Sequence, residues 1–205
     1  MTYMAQMADG SVDGIVTDPP YGINYRNSWH GRRTKRIEND SDVWTDWIAE
    51  AARVLRSPGY VLCFTRWDVQ DRFIREFDRC SLQVKSVVIW DKVIRGMGDL
   101  RAQFRPTYDS IIFAVKGQYR FPGKRPRDVI RMTKKDGCIL HPTEKPVALM
   151  EALIGMVSRP GDLILDPFAG SGSTGVAARN LGRDFVGIEI DPEWYNTARQ
   201  RLGLK

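Results

Sequence analysis

A carboxylate set beside two prolines and an aromatic ring is the first feature of this sequence able to do chemistry. Asp18-Pro19-Pro20-Tyr21 follows the apolar, β-branched run Val12–Thr17. That run reads as a strand, and active sites in open α/β sheets gather at the carboxyl ends of strands. Two prolines fix the turn, so the carboxylate, the peptide carbonyls and the Tyr21 ring are held at set angles. A carboxylate and a rigid carbonyl are two acceptors that together can hold an exocyclic NH2 group. A neighbouring aromatic ring can stack on the base that carries the group. A Pro-Pro turn beside a surface tyrosine would use the same residues without chemistry.

The second feature lies late in the chain. Residues 163–175 read as a buried strand, a glycine-rich turn and the start of a helix, with Asp166, Pro167, Phe168, Ala169, Gly170, Ser171 and Gly172 in the turn. Gly170, Gly172 and Gly175 fit G-x-G-x-x-G in the strand–turn–helix context that this pattern needs. The next strand delivers Glu189 at its carboxyl end, 19 residues after Gly170. A carboxylate there can accept hydrogen bonds from both hydroxyls of a ribose, so a nucleoside-containing cofactor is expected. NAD is the rival, because its fingerprint is formally matched. Asp166 argues against it by putting a charge where a pyrophosphate would gather. The late position also means that the sheet must be completed by strands earlier in the chain. A tight turn with Glu189 merely solvated is the bland alternative.

These residues resemble a known family. Asp-Pro-Pro-Tyr resembles the catalytic motif of amino-methylating DNA methyltransferases, and Asp-Pro-Phe-Ala-Gly-Ser-Gly-Ser-Thr resembles their S-adenosylmethionine motif. His141-Pro142-Thr143-Glu144-Lys145-Pro146 is similar to a third motif, whose segment contacts the methionine end of the cofactor. The order of the three is that of the β group of N6-adenine and N4-cytosine methyltransferases. Residues 88–92 and 108–117 also look like the middle of that group.

The resemblance implies a circularly permuted, Rossmann-like α/β fold with a mostly parallel sheet flanked by helices. It implies that Asp18 and the Pro19 carbonyl hold the target amine while Pro20 stiffens the turn and Tyr21 stacks on the flipped base. Asp166, Phe168, Ala169, Gly170, Ser171 and Gly172 would line S-adenosylmethionine, with Glu189 on its ribose and Thr143 and Lys145 near its carboxylate. An exocyclic amine is a poor nucleophile because its lone pair is delocalised into the ring. Hydrogen bonds to Asp18 and Pro19 would localise that pair for direct transfer, with no covalent intermediate. An aspartate opening the tetrad resembles the adenine type, so adenine in double-stranded DNA is the expected substrate and cytosine the alternative. The base must be extruded from the duplex to be reached.

The elements that position these residues follow from the pattern of the whole chain. Strands are expected at Val12–Thr17, 60–65, 83–90, 110–115, 163–165 and 185–188. Helices are expected at 45–56, 69–79, Val147–Val157, Ser173–Asn180 and 192–202. Their alternation is that of an α/β fold. The family sheet has seven strands and only six are legible. The seventh is expected just before Val12, where Asp9 is the only acid. That gap leaves a catalytically impaired DNA-binding relative as a second alternative.

The 205 residues suit one methyltransferase domain over 1–205. Three unclustered cysteines and two histidines give no zinc constellation, so a metalloenzyme is not expected. No apolar run reaches a membrane span and the first ten residues lack a signal peptide's long apolar stretch, so a cytoplasmic protein is expected. Lys plus Arg is 31 against 25 Asp plus Glu, and the excess concentrates in the segments 32–36 and 117–140. The second, with Lys124, Arg125 and Arg127, is the expected DNA-contact insert, binding phosphates rather than reading bases. It is short for a recognition domain, so recognition is expected to be relaxed or shared with a second subunit of a homodimer.

Overall fold

The computed structural model describes residues 2–22, 43–93, 101–102, 104–133 and 144–204. The elements run in chain order as α1 (Thr2–Gln6), β1 (Val12–Thr17), α2 (Trp47–Val54), β2 (Leu55–Thr65), α3 (Gln70–Arg79), β3 (Gln83–Asp91) and β4 (Tyr108–Lys116). They continue as β5 (Val129–Arg131), α4 (Val147–Val157), β6 (Leu163–Asp166), α5 (Ser173–Asn180), β7 (Asp184–Gly187) and α6 (Pro192–Arg201). The sheet has seven strands in the order β5-β3-β4-β2-β1-β6-β7. Only β4 runs against its neighbours.

Each face of the sheet buries its own core. On one side α2 packs Trp47, Ile48, Ala51, Ala52 and Val54, one apolar helical stripe, with Phe73 and Phe77 of α3 beside them. On the other, α4 and α5 cover Val16, Leu62, Ile111 and Phe113. β1 therefore leads to a helix on one face and β6 to a helix on the other. Because β1 and β6 are neighbours, their loops part and leave a crevice at the carboxyl end of the sheet. The catalytic-type loop precedes the glycine loop in sequence, yet the two meet in space. That is the permuted, mostly parallel α/β arrangement.

The expected place of the seventh strand is corrected. The seventh strand is not ahead of β1, where residues Thr2–Gln6 form a helix; it is β5, at the far edge, inside a segment that reads as loop. Three residues are too few to show a period of two. β5 is held instead by pairing Ile89 with Val129 and Asp91 with Arg131, and by the Trp90 indole donating to the Met132 carbonyl at 2.9 Å. The N-terminal segment is tied to α2 by Arg53, which donates to the carbonyls of Met4 and Met7 and pairs with Asp9 at 2.6 Å. Asp9 thus has a structural partner. The last helix begins as its sequence indicates, with Asp191 accepting from the Glu193 amide at 2.9 Å and Pro192 in the first turn. Among the described residues no helix is long and apolar enough to cross a membrane.

Candidate active site

The crevice is built from the ends of β1 and β6, which are stitched together by one buried group. Asp166, at the end of β6, is 3% exposed. Its Oδ1 accepts from the Thr17 hydroxyl at 2.9 Å and from the Phe168 amide at 3.1 Å. Its Oδ2 accepts from the Thr174 hydroxyl at 2.6 Å. Thr17 is the residue before Asp18 and Thr174 lies in the first turn of α5, so one carboxylate fixes the catalytic-type turn, the glycine loop and the helix together. The resemblance implies that Asp166 lines the cofactor; here both of its oxygens are engaged by protein donors.

Burial pushes the Asp166 carboxyl up to about 6, against the opposing pull of Thr174, the Phe168 amide and Thr17. The folded protein therefore takes up a proton between about pH 6 and pH 4 that the unfolded chain does not bind. This group's contribution improves as pH falls through that window, and a cost of about 3 kcal/mol is fully present above it. Asp166→Asn removes the titration. Denaturant titrations are expected to show the variant gaining on the wild type by about 3 kcal/mol from pH 4 to pH 7. A difference that does not change with pH would contradict the assignment.

The glycine loop opposes the crevice with bare backbone. Gly170 has φ +52° and a Cβ there would meet no atom within 4 Å among the described residues. Gly172, at φ +85°, lies against Ala198, 3.0 Å from where its Cβ would be, which packs the start of α5 onto α6. Glu189 braces the loop. Its Oε2 accepts from the Gly170 amide and its Oε1 from the Asp191 amide, each at 2.8 Å. Each carboxylate oxygen keeps a further lone pair. Ile190, next to it, is exposed. Phe168 is fixed by edge-on contacts with Trp44 at 5.9 Å and Trp47 at 5.5 Å.

On the other wall, both oxygens of Asp18 have partners. The Tyr21 hydroxyl donates to Oδ1 and the Lys145 ammonium pairs with Oδ2. Burial and then the Asp18 charge raise the Tyr21 hydroxyl well above its usual range, so it remains a donor. The resemblance implies that Lys145 lies near the methionine carboxylate; its ammonium instead rests on Asp18, 4.8 Å above the Phe64 ring. Thr143 lies outside the described residues. Cys63, the β2 partner of Thr17 in the sheet, is buried, and burial raises its thiol, the opposite of what a nucleophile needs.

Four contributors are not singled out by the sequence. Glu144 accepts from the Ser173 hydroxyl at 3.1 Å and pairs with Arg201 at 2.9 Å, while Arg201 also donates to the Ser171 carbonyl at 2.9 Å. Thr17 and Thr174 complete the set. Glu144 and Thr174 sit inside motifs and could have been suspected; Arg201, near the end of α6, carries no signal.

The described part of the basic segment, 117–133, starts at the end of the sheet opposite Asp18, because β4 runs antiparallel. It reaches the Asp18 end only at β5. At the Asp18 end of the sheet, Arg66 and exposed Trp67 follow β2, exposed Phe104 and Arg105 precede β4, exposed Tyr108 opens β4 and Arg131 closes β5.

Known proteins share this arrangement. The N6/N4 family model described as DNA methylase matches residues 12–140 and 130–200. The chain is 33% identical over 201 residues to YubD of Escherichia coli (strain K12), named as a methylase, across 97% of this chain and 85% of that protein. It is 31% identical over 233 residues to the DNA adenine methyltransferase YhdJ of the same organism, across 95% and 77%. The M1.HpyAVI–SAM complex matches with a TM-score of 0.78 at 28% identity, covering 98% of this chain and 92% of that one. The PvuII DNA methyltransferase, cytosine-N4-specific, has the same fold at 16% identity and a TM-score of 0.74, covering 97% and 82%. On the family match and on relatives aligned along almost all of its length, this chain belongs to the N6/N4 DNA methylase family.

Proposed function

We propose that this DNA methyltransferase moves the methyl group of S-adenosylmethionine to the 6-amino group of adenine in double-stranded DNA, after the base is extruded. The observation that carries the reading is the meeting of Asp18 with the glycine loop, through the Thr17–Asp166–Thr174 hydrogen bonds. A group that accepts from an amine thereby stands beside a surface suited to a nucleoside donor. The bare backbone at Gly170, the Glu189 carboxylate and the exposed Ile190 fit the ribose and adenine of that donor. When bound, S-adenosylmethionine supplies an electrophilic methyl on a positively charged sulfur.

The chain's own residues do the rest. Asp18 and the Pro19 carbonyl accept from the two amine hydrogens, localise the nitrogen lone pair and aim it across the crevice. Pro20 keeps the two acceptors at a fixed separation. Tyr21 steadies the carboxylate with its hydroxyl and offers its ring to the base. Phe168, Ala169 and Ser171 shape the loop against which the donor lies. Asp166 acts on the site by holding the two loops in register.

Adenine is favoured by the aspartate at position 18 and by the name of the YhdJ relative. The amine of cytosine presents the same chemistry, and the PvuII likeness keeps it as the second reading. Methylated DNA digested to nucleosides and weighed is expected to yield 6-methyladenine. Finding 4-methylcytosine alone would overturn the base assignment and leave amine methylation standing.

Duplex DNA is expected to approach the Asp18 end of the sheet. Neutralising Arg66, Arg105 and Arg131 together should reduce the magnitude of the salt slope of DNA binding by roughly 2–3, at nearly one unit per phosphate. Neutralising Lys124, Arg125 and Arg127 should reduce it less. The opposite ranking would place the duplex on the 117–133 segment.

A further inference from the structure

Asp18 is engaged twice in this structure, and one of its partners is a cation on an oxygen that the target amine could use. The target amine needs an oxygen of Asp18; Oδ1 accepts from Tyr21 and Oδ2 is paired with Lys145, and although each oxygen keeps a further lone pair, the ammonium beside Oδ2 takes up its charge and crowds the approach to it. Tyr21 belongs to the same turn and moves with it. Lys145 does not: it is 127 residues away in sequence, on the segment that leads into α4.

The pair is largely buried, at 13% exposure for the Lys145 side chain and 22% for Asp18, with the Phe64 ring under the ammonium. A buried charge that loses its partner is strongly disfavoured, so the ammonium leaves Asp18 only for another anion. It also has to leave for the reaction to run. As methyl transfer proceeds, positive charge passes from the donor sulfur to the amine nitrogen, and an ammonium on the same carboxylate would oppose it.

The destination follows from the neighbouring residue. Glu144 is bound to Ser173 and Arg201, which fixes this segment against the glycine loop. The lysine therefore stands between the base pocket and the donor site. The amino-acid end of the donor carries a carboxylate, the anion that the Glu144 side chain, already held by Ser173 and Arg201, does not supply.

We propose that Lys145 and the target amine compete for one oxygen of Asp18, and that bound S-adenosylmethionine decides the competition by drawing the ammonium to its own carboxylate. Donor binding thereby frees Asp18 for the base. Lys145 is a positioning residue in this scheme, and the scheme rests on the methyl-donor reading given above.

The test needs neither DNA nor a recognition sequence. Titration calorimetry on the full chain would compare S-adenosylmethionine with 5′-methylthioadenosine, a neutral thioether that keeps the nucleoside and sulfur but lacks the carboxylate, the amino group and the sulfonium charge. Asp18→Asn releases Lys145, so this variant is expected to bind S-adenosylmethionine at least about fivefold more tightly than the wild type, the lower end of ordinary site-to-site coupling. Methylthioadenosine affinity should not change. In a Lys145→Met background the gain from Asp18→Asn should vanish.

Equal affinity of wild type and Asp18→Asn for S-adenosylmethionine would overturn the proposal, as would a gain that persists without Lys145. If Lys145→Met fails to fold, Asp18→Asn with the two ligands still decides by its sign, because losing the Asp18 charge would weaken binding of the sulfonium and only a released Lys145 on the carboxylate would strengthen it. A wild-type protein that binds neither ligand would instead remove the methyl-donor reading itself.

Discussion

Asp18→Asn is expected to lower the rate of methyl transfer by roughly 10²–10⁴-fold, the usual worth of a positioned acid–base group, while donor and DNA still bind. The asparagine side chain has nearly the same shape, so the turn set by Pro19 and Pro20 should survive. It replaces one of two carboxylate oxygens with an NH2 group, which donates where the amine also donates. The nitrogen lone pair is then no longer localised towards the methyl group. Thr17 and Asp166 are untouched, so the neighbouring loop keeps its place. Single-turnover transfer with excess enzyme reads the chemical step directly. A rate within tenfold of the wild type would remove Asp18 from the reaction.

The second large effect falls on donor binding. Glu189→Ala is expected to raise the dissociation constant for S-adenosylmethionine by roughly 10- to 100-fold, as expected for losing a hydrogen bond to a charged group. Two causes act together. The ribose hydroxyls lose the acceptor proposed for them, and the Gly170 and Asp191 amides lose theirs, which loosens the loop and the start of α6. Glu189→Gln separates the causes, because the amide retains one acceptor oxygen and should fall between the two. Calorimetry reads both variants, and an unchanged constant in Glu189→Ala would take Glu189 out of the donor site.

Much of this site is legible in the sequence because its pieces are contiguous. Asp18 to Tyr21 and Asp166 to Gly175 each form one short stretch with strong local geometry, and a strand before each tells where it must lie. The six longer strands are legible for the same reason, each having enough residues to show its pattern. Interactions across the fold are not legible. Thr17 meets Asp166 over 149 residues of sequence and Lys145 meets Asp18 over 127. No spacing rule reveals either. Asp166 illustrates the consequence: its place beside the glycines suggests a ligand group, and only the fold shows that its burial and three hydrogen bonds also make it a fastening between two loops. β5 was hidden by its length, and the basic segment by the direction of β4, which decides the end of the sheet from which that segment starts.

The proposed reaction methylates an exocyclic amine of DNA in this crevice through Asp18. Its most direct measurement is transfer of an isotopically labelled methyl group from S-adenosylmethionine to unmodified duplex DNA by the wild type and by Asp18→Asn, with the labelled nucleoside identified by mass. Label on an amino nitrogen, as 6-methyladenine, is expected with the wild type, and a rate reduced at least about a hundredfold with the variant. Label on a ring carbon, or equal incorporation by the two proteins, would contradict it.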